Sequence, residues 1–285
     1  DFQHLYKSMK FAFPEIPSMA IGAIYSSFDK SLLSNYGGST SIGNYEFGGR
    51  FASILKHFMD ALSKSWGPFF MNNAEENSLS GKKRIVDTYY SLLFLFGFIG
   101  LVISFFSEEA LILLTTEEFY KAKYLIPIFI IKMLFGGALS FLAINQIMYA
   151  GKLIYQFPVT IINVILNIAL NIMLIPKYGA IGAVISTAVD TIIGSIIFLC
   201  LGEKAYPLLN GYKIIVKFFL LISLSLISLY VIFYFNFSIY LAFFIKLLII
   251  LIYSFLSLRI FFSNFSHLVA DTRKLFRSLG ISIFN

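Results

Sequence analysis

Charge and cysteine are what this 285-residue chain has least of. Charged residues make up 13% of it and AVILMFWYC residues 58%, whereas soluble domains carry roughly a quarter charged residues. That composition excludes an ordinary water-solvated domain and reads as a membrane protein. A single cysteine, Cys200, excludes an intramolecular disulfide and a cysteine-based metal cluster. Three histidines, His4, His57 and His267, are too scattered to suggest a metal site. There is no GxxxxGK[ST] loop, so the chain holds no ATPase of this kind to drive transport. No soluble segment is large enough to hold a nucleophile and its base in a dry pocket, which points away from an enzyme. The chain begins at Asp1 with "DFQHLYKSMK", without an initiator Met or a charged-then-apolar leader, and is read as truncated at its amino terminus. Low-complexity linkers and obvious internal repeats are absent as well.

Long apolar runs are what is there. "YYSLLFLFGFIGLVISFF" (89–106) and "IIVKFFLLISLSLISLYVIFYF" (214–235) are each long enough to cross a hydrocarbon core, which takes roughly 20 apolar residues as a helix. A barrel would instead show alternating segments of about ten residues. The fold class is therefore all-α, a polytopic membrane helix bundle. Eight spans are expected, near 12–34, 42–70, 88–106, 124–149, 157–176, 180–201, 214–235 and 239–262. With the amino terminus in the cytoplasm, thirteen Lys and Arg fall in or beside the cytoplasmic loops and tail. Only Lys121, Lys123 and Lys177 fall outside. That bias is the positive-inside pattern, and it places both chain ends in the cytoplasm. It also accounts for the net charge of +7 better than nucleic-acid binding does.

The second span poses the main question. Glu46, Arg50, Ser53, His57, Asp60 and Lys64 follow spacings of 4, 3, 4, 3 and 4, which at 100° per residue keeps them within about an 80° arc. The stripe rises about 27 Å, close to the roughly 30 Å of a hydrocarbon core. A charge facing lipid at the centre costs on the order of 2.5–3.5 kcal/mol, so such a stripe calls for water or partners. A hydrated cavity satisfies that need. The blander alternatives are an amphipathic helix lying flat at the interface, with Trp66 at the boundary, and mutual neutralisation of Glu46–Arg50 and Asp60–Lys64 at i,i+4. The latter leaves Lys56 and His57 unexplained.

Other spans carry isolated polarity. The first has Glu15, Ser18, Gly22, Ser26 and Asp29 along one face, and Asp29 and Lys30 stand near its outer end, where they could snorkel to the interface. Lys132 sits deep in the fourth span and needs an acidic partner or water. In the fifth, Thr160, Asn163, Asn167 and Asn171 share one side and could contact sugar hydroxyls or simply bond neighbouring helices. Asp190, amid Gly182, Ala183, Ser186 and Gly194, is either a proton or cation site or the partner of a lysine elsewhere.

The run "FDKSLLSNYGGSTSIGNYEFGGRFASIL" (28–55) resembles the start of the second half of Wzx-type polysaccharide (O-antigen) flippases. "LIPKYGAIGAVIST" (174–187) is similar to that family's hairpin, and "SEEALILLTTEEFYKAKYLIPI" (107–128) to its outer loop. The same superfamily includes MATE-type drug exporters and MurJ-type lipid II flippases. The resemblance implies two six-helix lobes facing across a cavity, with two additional helices at the carboxyl end. On that basis residues 1–11 are a lead-in from a truncated inter-lobe loop, 12–201 the second lobe, 202–262 the two extra helices with their loop, and 263–285 a basic tail.

What the resemblance further implies is transport, not catalysis. The expected cargo is an undecaprenyl-diphosphate-linked oligosaccharide, turned from the inner to the outer leaflet of a prokaryotic cytoplasmic membrane by alternating access. The partners expected are the bilayer, that lipid-linked oligosaccharide, a missing amino-terminal lobe, and polysaccharide polymerase or ligase machinery. Arg50 is the leading diphosphate contact, because a guanidinium presents a planar fork to phosphate oxygens. Lys56, His57, Lys64 and Lys132 add positive field, Asn163, Asn167 and Asn171 are sugar-contact candidates, and Asp29, Glu46 and Asp190 are candidates for coupling to protons or sodium. No cofactor is expected. The alternatives are a MATE-type drug exporter, which would favour an acidic cavity, an intramembrane glycan polymerase or ligase, and a membrane scaffold.

Overall fold

In the computed structural model, residues 15–209, 211–235 and 237–261 are described. Among them the chain is helical throughout, without strands. The helices are α1 (Glu15–Glu75), α2 (Leu79–Phe105), α3 (Ser107–Leu114), α4 (Ile126–Met133), α5 (Ser140–Tyr149), α6 (Gln156–Ala205), α7 (Lys213–Phe235) and α8 (Ile239–Phe261). Short 3-10 segments occupy Glu117–Tyr124 and Leu153–Tyr155, and a π-helical segment, Leu134–Leu139, joins α4 to α5. Five described stretches are long and apolar enough to cross a membrane: Leu79–Phe105, Ile126–Tyr149, Leu153–Ala205, Lys213–Phe235 and Tyr240–Phe261. The protein is a multi-pass membrane protein. α1, which carries Asp29, Lys30, Glu46, Arg50, Lys56, Asp60 and Lys64, is not among the five. The lead-in 1–11, the tail 263–285, His4 and His267 lie outside the described residues, as do the side chains of Glu15, Ser18, Gly22 and Ser26.

Where loops were expected between the first and second spans and between the fifth and sixth, the helix runs on and breaks at one glycine. Gly38 (φ 69°, ψ 176°) breaks α1 and Gly179 (φ 55°, ψ −131°) breaks α6. Both adopt a left-handed φ that glycine alone reaches cheaply. α2 also starts earlier than the apolar run suggests. Ser78 caps it by accepting from the Gly81 N–H at 3.0 Å, so Lys82, Lys83 and Arg84 fall in its opening turns.

The chain divides into two compact units. One groups the residues up to Lys56 with Ser107–Pro207, and the other groups His57–Phe106 with the residues from Leu208 on. In the first unit, α4 and α5 both pack on α6, α5 meeting it around Ala143, Ile147, Val159 and Phe198. Gly202 brings α6 close to α5: a Cβ there would stand 3.0 Å from the Ala143 Cα and 2.6 Å from Gln146 Oε1. Gln146 in turn donates to the Glu203 carboxylate and, at 2.9 Å, to the Tyr206 carbonyl. Such small-residue contacts are the usual means by which membrane helices approach. In the second unit, α8 packs on α2 and α7. Tyr253 stacks on Phe94 with ring centroids 6.3 Å apart, and its hydroxyl rests over Gly97, where a Cβ would collide with it. Trp66 is 3% exposed among Phe69, Phe70 and Tyr89, so it is a core residue of this unit and does not mark a boundary.

Candidate functional site

The break at Gly38 turns α1 back on itself, so that residues sixteen apart face one another. Tyr45 Oη donates to Asp29 Oδ2 at 3.1 Å, and beside it Lys30 pairs with Glu46 at 2.6 Å. The break at Gly179 does the same for α6, where Asn163 of the first arm presses against Gly194 of the second. At 1.5 Å per residue, Asp29, Tyr45, Asn171 and Thr187 all lie about 10–14 Å along their arms from the breaks, so one level of the fold holds them. Asn171 Nδ2 donates to Asp29 Oδ1 at 2.5 Å and to Asn167 Oδ1 at 2.7 Å. α4 supplies the third wall. Phe129 meets Tyr45 edge-on with centroids 5.2 Å apart, over the space left by Gly48 and Gly49. One turn later comes Lys132, which feels the charges of Asp190 and Asp29.

The acids and amides of this cluster are closed from solvent, while Lys132 is half-buried. Asp29 is 3% exposed, and Asn167, Asn171 and Asp190 are 0% exposed. A carboxylate in such a place costs several kcal/mol unless it is bonded and paired. Asp29 has two hydrogen-bond donors, and Asp190 Oδ1 accepts from the Thr191 hydroxyl at 2.9 Å. The amides are less fully used: Asn163 Oδ1, Asn167 Nδ2 and Asn171 Oδ1 are buried without a hydrogen-bond partner. Carboxylate, amide and hydroxyl oxygens converge here, a donor set suited to hard cations.

Of the residues singled out from sequence, the fold brings Asp29, Lys132, Asn167, Asn171 and Asp190 together, with Asn163 one turn along. Asp29 does not snorkel; it is buried and tied to two neighbouring arms. Glu46 stands at the edge, half-exposed and bound to Lys30. The stripe goes elsewhere. Arg50 and Lys56 are exposed on the part of α1 in the first unit, and His57, Asp60 and Lys64 are exposed on the part in the second. Sequence reasoning missed Tyr45 and Thr187. Tyr45 is the Tyr of the Gly-x-Tyr motif, the one signal that could have marked it.

No family model matches the chain, and no curated protein matches it. One solved structure does. "Lipid II flippase MurJ, inward closed conformation" superposes with a TM-score of 0.63 at 23% identity, over 91% of this chain and 56% of its own length. This chain has a MurJ-like fold. It spans little more than half the length of that flippase.

Proposed function

We propose that the chain is the carboxyl-terminal part of a flippase, a transporter and not an enzyme, that moves an isoprenoid-diphosphate-linked oligosaccharide across a prokaryotic cytoplasmic membrane. The observation that carries this reading is the MurJ-like fold over 91% of the chain. The Wzx-like stretches favour a surface polysaccharide repeat, such as an O-antigen unit, as the cargo. The diphosphate is the part that hydrocarbon rejects. The exposed Arg50, Lys56, His57 and Lys64 on α1 are suited to accompany it, Arg50 as the bidentate contact. Residues 12–201 then serve as one lobe and 202–262 as two further helices, with both chain ends cytoplasmic and an amino-terminal lobe as partner. Rocking of lobes exposes the cargo to each side in turn.

The buried cluster supplies the coupling. Asp29, bonded by Tyr45 and Asn171, is the ligand for a driving cation, proton or sodium, with Asp190 close by. Asn171, bonded to Asp29, and Asn167, bonded to Asn171, are proposed to shape this ion site, which leaves Asn163 as the remaining sugar-contact candidate. In the full-length transporter Arg50→Gln should abolish glycan export while membrane insertion stays normal, and Arg50→Lys should retain part of it. Undiminished surface glycan in Arg50→Gln sinks the diphosphate role. A second reading, a MATE-type exporter of cationic drugs, draws support from the two buried carboxylates. Raised drug resistance on expression, with no effect on glycan, would favour it.

A further inference from the structure

The charges around the ion site can be counted. Asp29 and Asp190 are buried acids, Lys132 is the base on the α4 wall, and the Lys30–Glu46 pair beside them cancels itself. With all five ionised the cluster carries one net negative charge. Lys132 interacts electrostatically with both acids, and its helix touches a partner of each. One turn before it, Phe129 rests on Tyr45, the residue that holds Asp29. One turn after it, Gly136 abuts Thr191, to whose methyl a Cβ there would come within 2.7 Å, and Thr191 holds Asp190. The ligand-seeking group is Asn171 Oδ1, buried and without a partner on a side chain that already touches Asp29.

We infer that Lys132 sets the valence of the ion this site accepts: by offsetting one of two carboxylates it confines the site to a single monovalent cation. This inference rests on the cation-coupling reading above. A sodium ion brings the cluster to neutrality. A calcium ion leaves an uncompensated positive charge in a dry interior, which is costly. Without the ammonium, two carboxylates and the amide and hydroxyl oxygens form a doubly negative site, and calcium, which prefers oxygen ligands, becomes a competitor. Lys132 is thus a specificity-determining residue.

The test is binding of radioactive sodium to the full-length protein in detergent, with calcium as competitor. Wild type should bind sodium saturably, lose it in Asp29→Asn, and resist calcium. In Lys132→Gln, calcium should compete at concentrations lower by about tenfold or more, since one full charge acting on both acids has been removed; Lys132→Arg should behave as wild type. Because Lys132→Gln leaves buried acids without their base, a second pair guards against misfolding. Asp190→Asn makes the cluster neutral and should weaken sodium binding, and Lys132→Gln with Asp190→Asn returns it to one negative charge and should restore the monovalent preference. Sodium binding lost in Asp29→Asn but with calcium ranking unchanged in Lys132→Gln, or no recovery in the double variant relative to Asp190→Asn, overturns the role of Lys132 alone. Absence of sodium binding in wild type overturns the sodium form of the coupling reading and this inference with it, and full binding in Asp29→Asn overturns Asp29 as the ligand.

Discussion

Asp29 shows what a single residue must arrange to stay buried in a membrane protein. Its two donors come from different arms, Tyr45 across the Gly38 break and Asn171 from α6. Removing either leaves a buried carboxylate short of a hydrogen bond. Tyr45→Phe and Asn171→Ala should therefore each destabilise the protein by about 1–3 kcal/mol, read as a lowered unfolding midpoint in detergent. The two losses should be non-additive, because the donors share one acceptor. Full additivity would mean that the two do not act on a common group. At this scale the sequence was half legible. Asp29, Lys132, Asn167, Asn171 and Asp190 stand out because polar groups are rare among apolar neighbours and expensive there. Their mutual pairing does not stand out, since it depends on which arm folds against which. Tyr45 is hidden in an aromatic-rich helix where a hydroxyl draws no attention.

At the scale of elements, hydropathy sets the ends of the last two spans well, because burial in lipid depends on length and apolarity: α7 and α8 begin and end within two residues of the expected limits. What hydropathy does not register is how a turn is made. Gly38 and Gly179 break helices that otherwise continue, and φ is invisible to composition. Gly179→Ala meets open space, the nearest atom beyond its own hairpin being the Ser41 hydroxyl at 4.0 Å, so its penalty should be backbone strain alone. A loss of about 1–3 kcal/mol is expected, measured by the unfolding midpoint; an unchanged midpoint would show that the break does not need its positive φ. The π segment Leu134–Leu139 is a second such feature, since π segments hold an extra residue and often mark functional sites. Deleting Gly137 should restore α-helical register and turn Phe129 and Lys132 by about 100° relative to α5. Sodium binding and export should then fail while helix content by circular dichroism is unchanged; retained binding would show that this register is not needed.

At the scale of the whole molecule, topology is the property most open to test. The native Cys200 is exposed, so labelling requires a Cys200→Ser background. A cysteine at Thr116, in the segment between α3 and the 3-10 turn that is proposed to lie outside, should react with an impermeant reagent in intact cells. One at Ser80, in the first turn of α2, should react only after the membrane is opened. The reverse pattern would invert the orientation proposed here. The fold class was legible because a chain 13% charged has few other ways to be stable. The relationship to known proteins was far less so, at 23% identity to a structure of the same fold. α6 shows why. Its first arm exposes Ile162, Ile165, Ile168 and Ile172 and turns Asn163, Asn167 and Asn171 inward. The outward positions ask only for hydrocarbon, and Leu, Val, Phe or Met would serve as well as Ile. The inward ones must each supply an amide every fourth residue. The outward face can therefore be rewritten in any hydrocarbon while the inward one cannot, so relatives of this chain should keep that thin thread of amides, glycines and acids after overall similarity has faded.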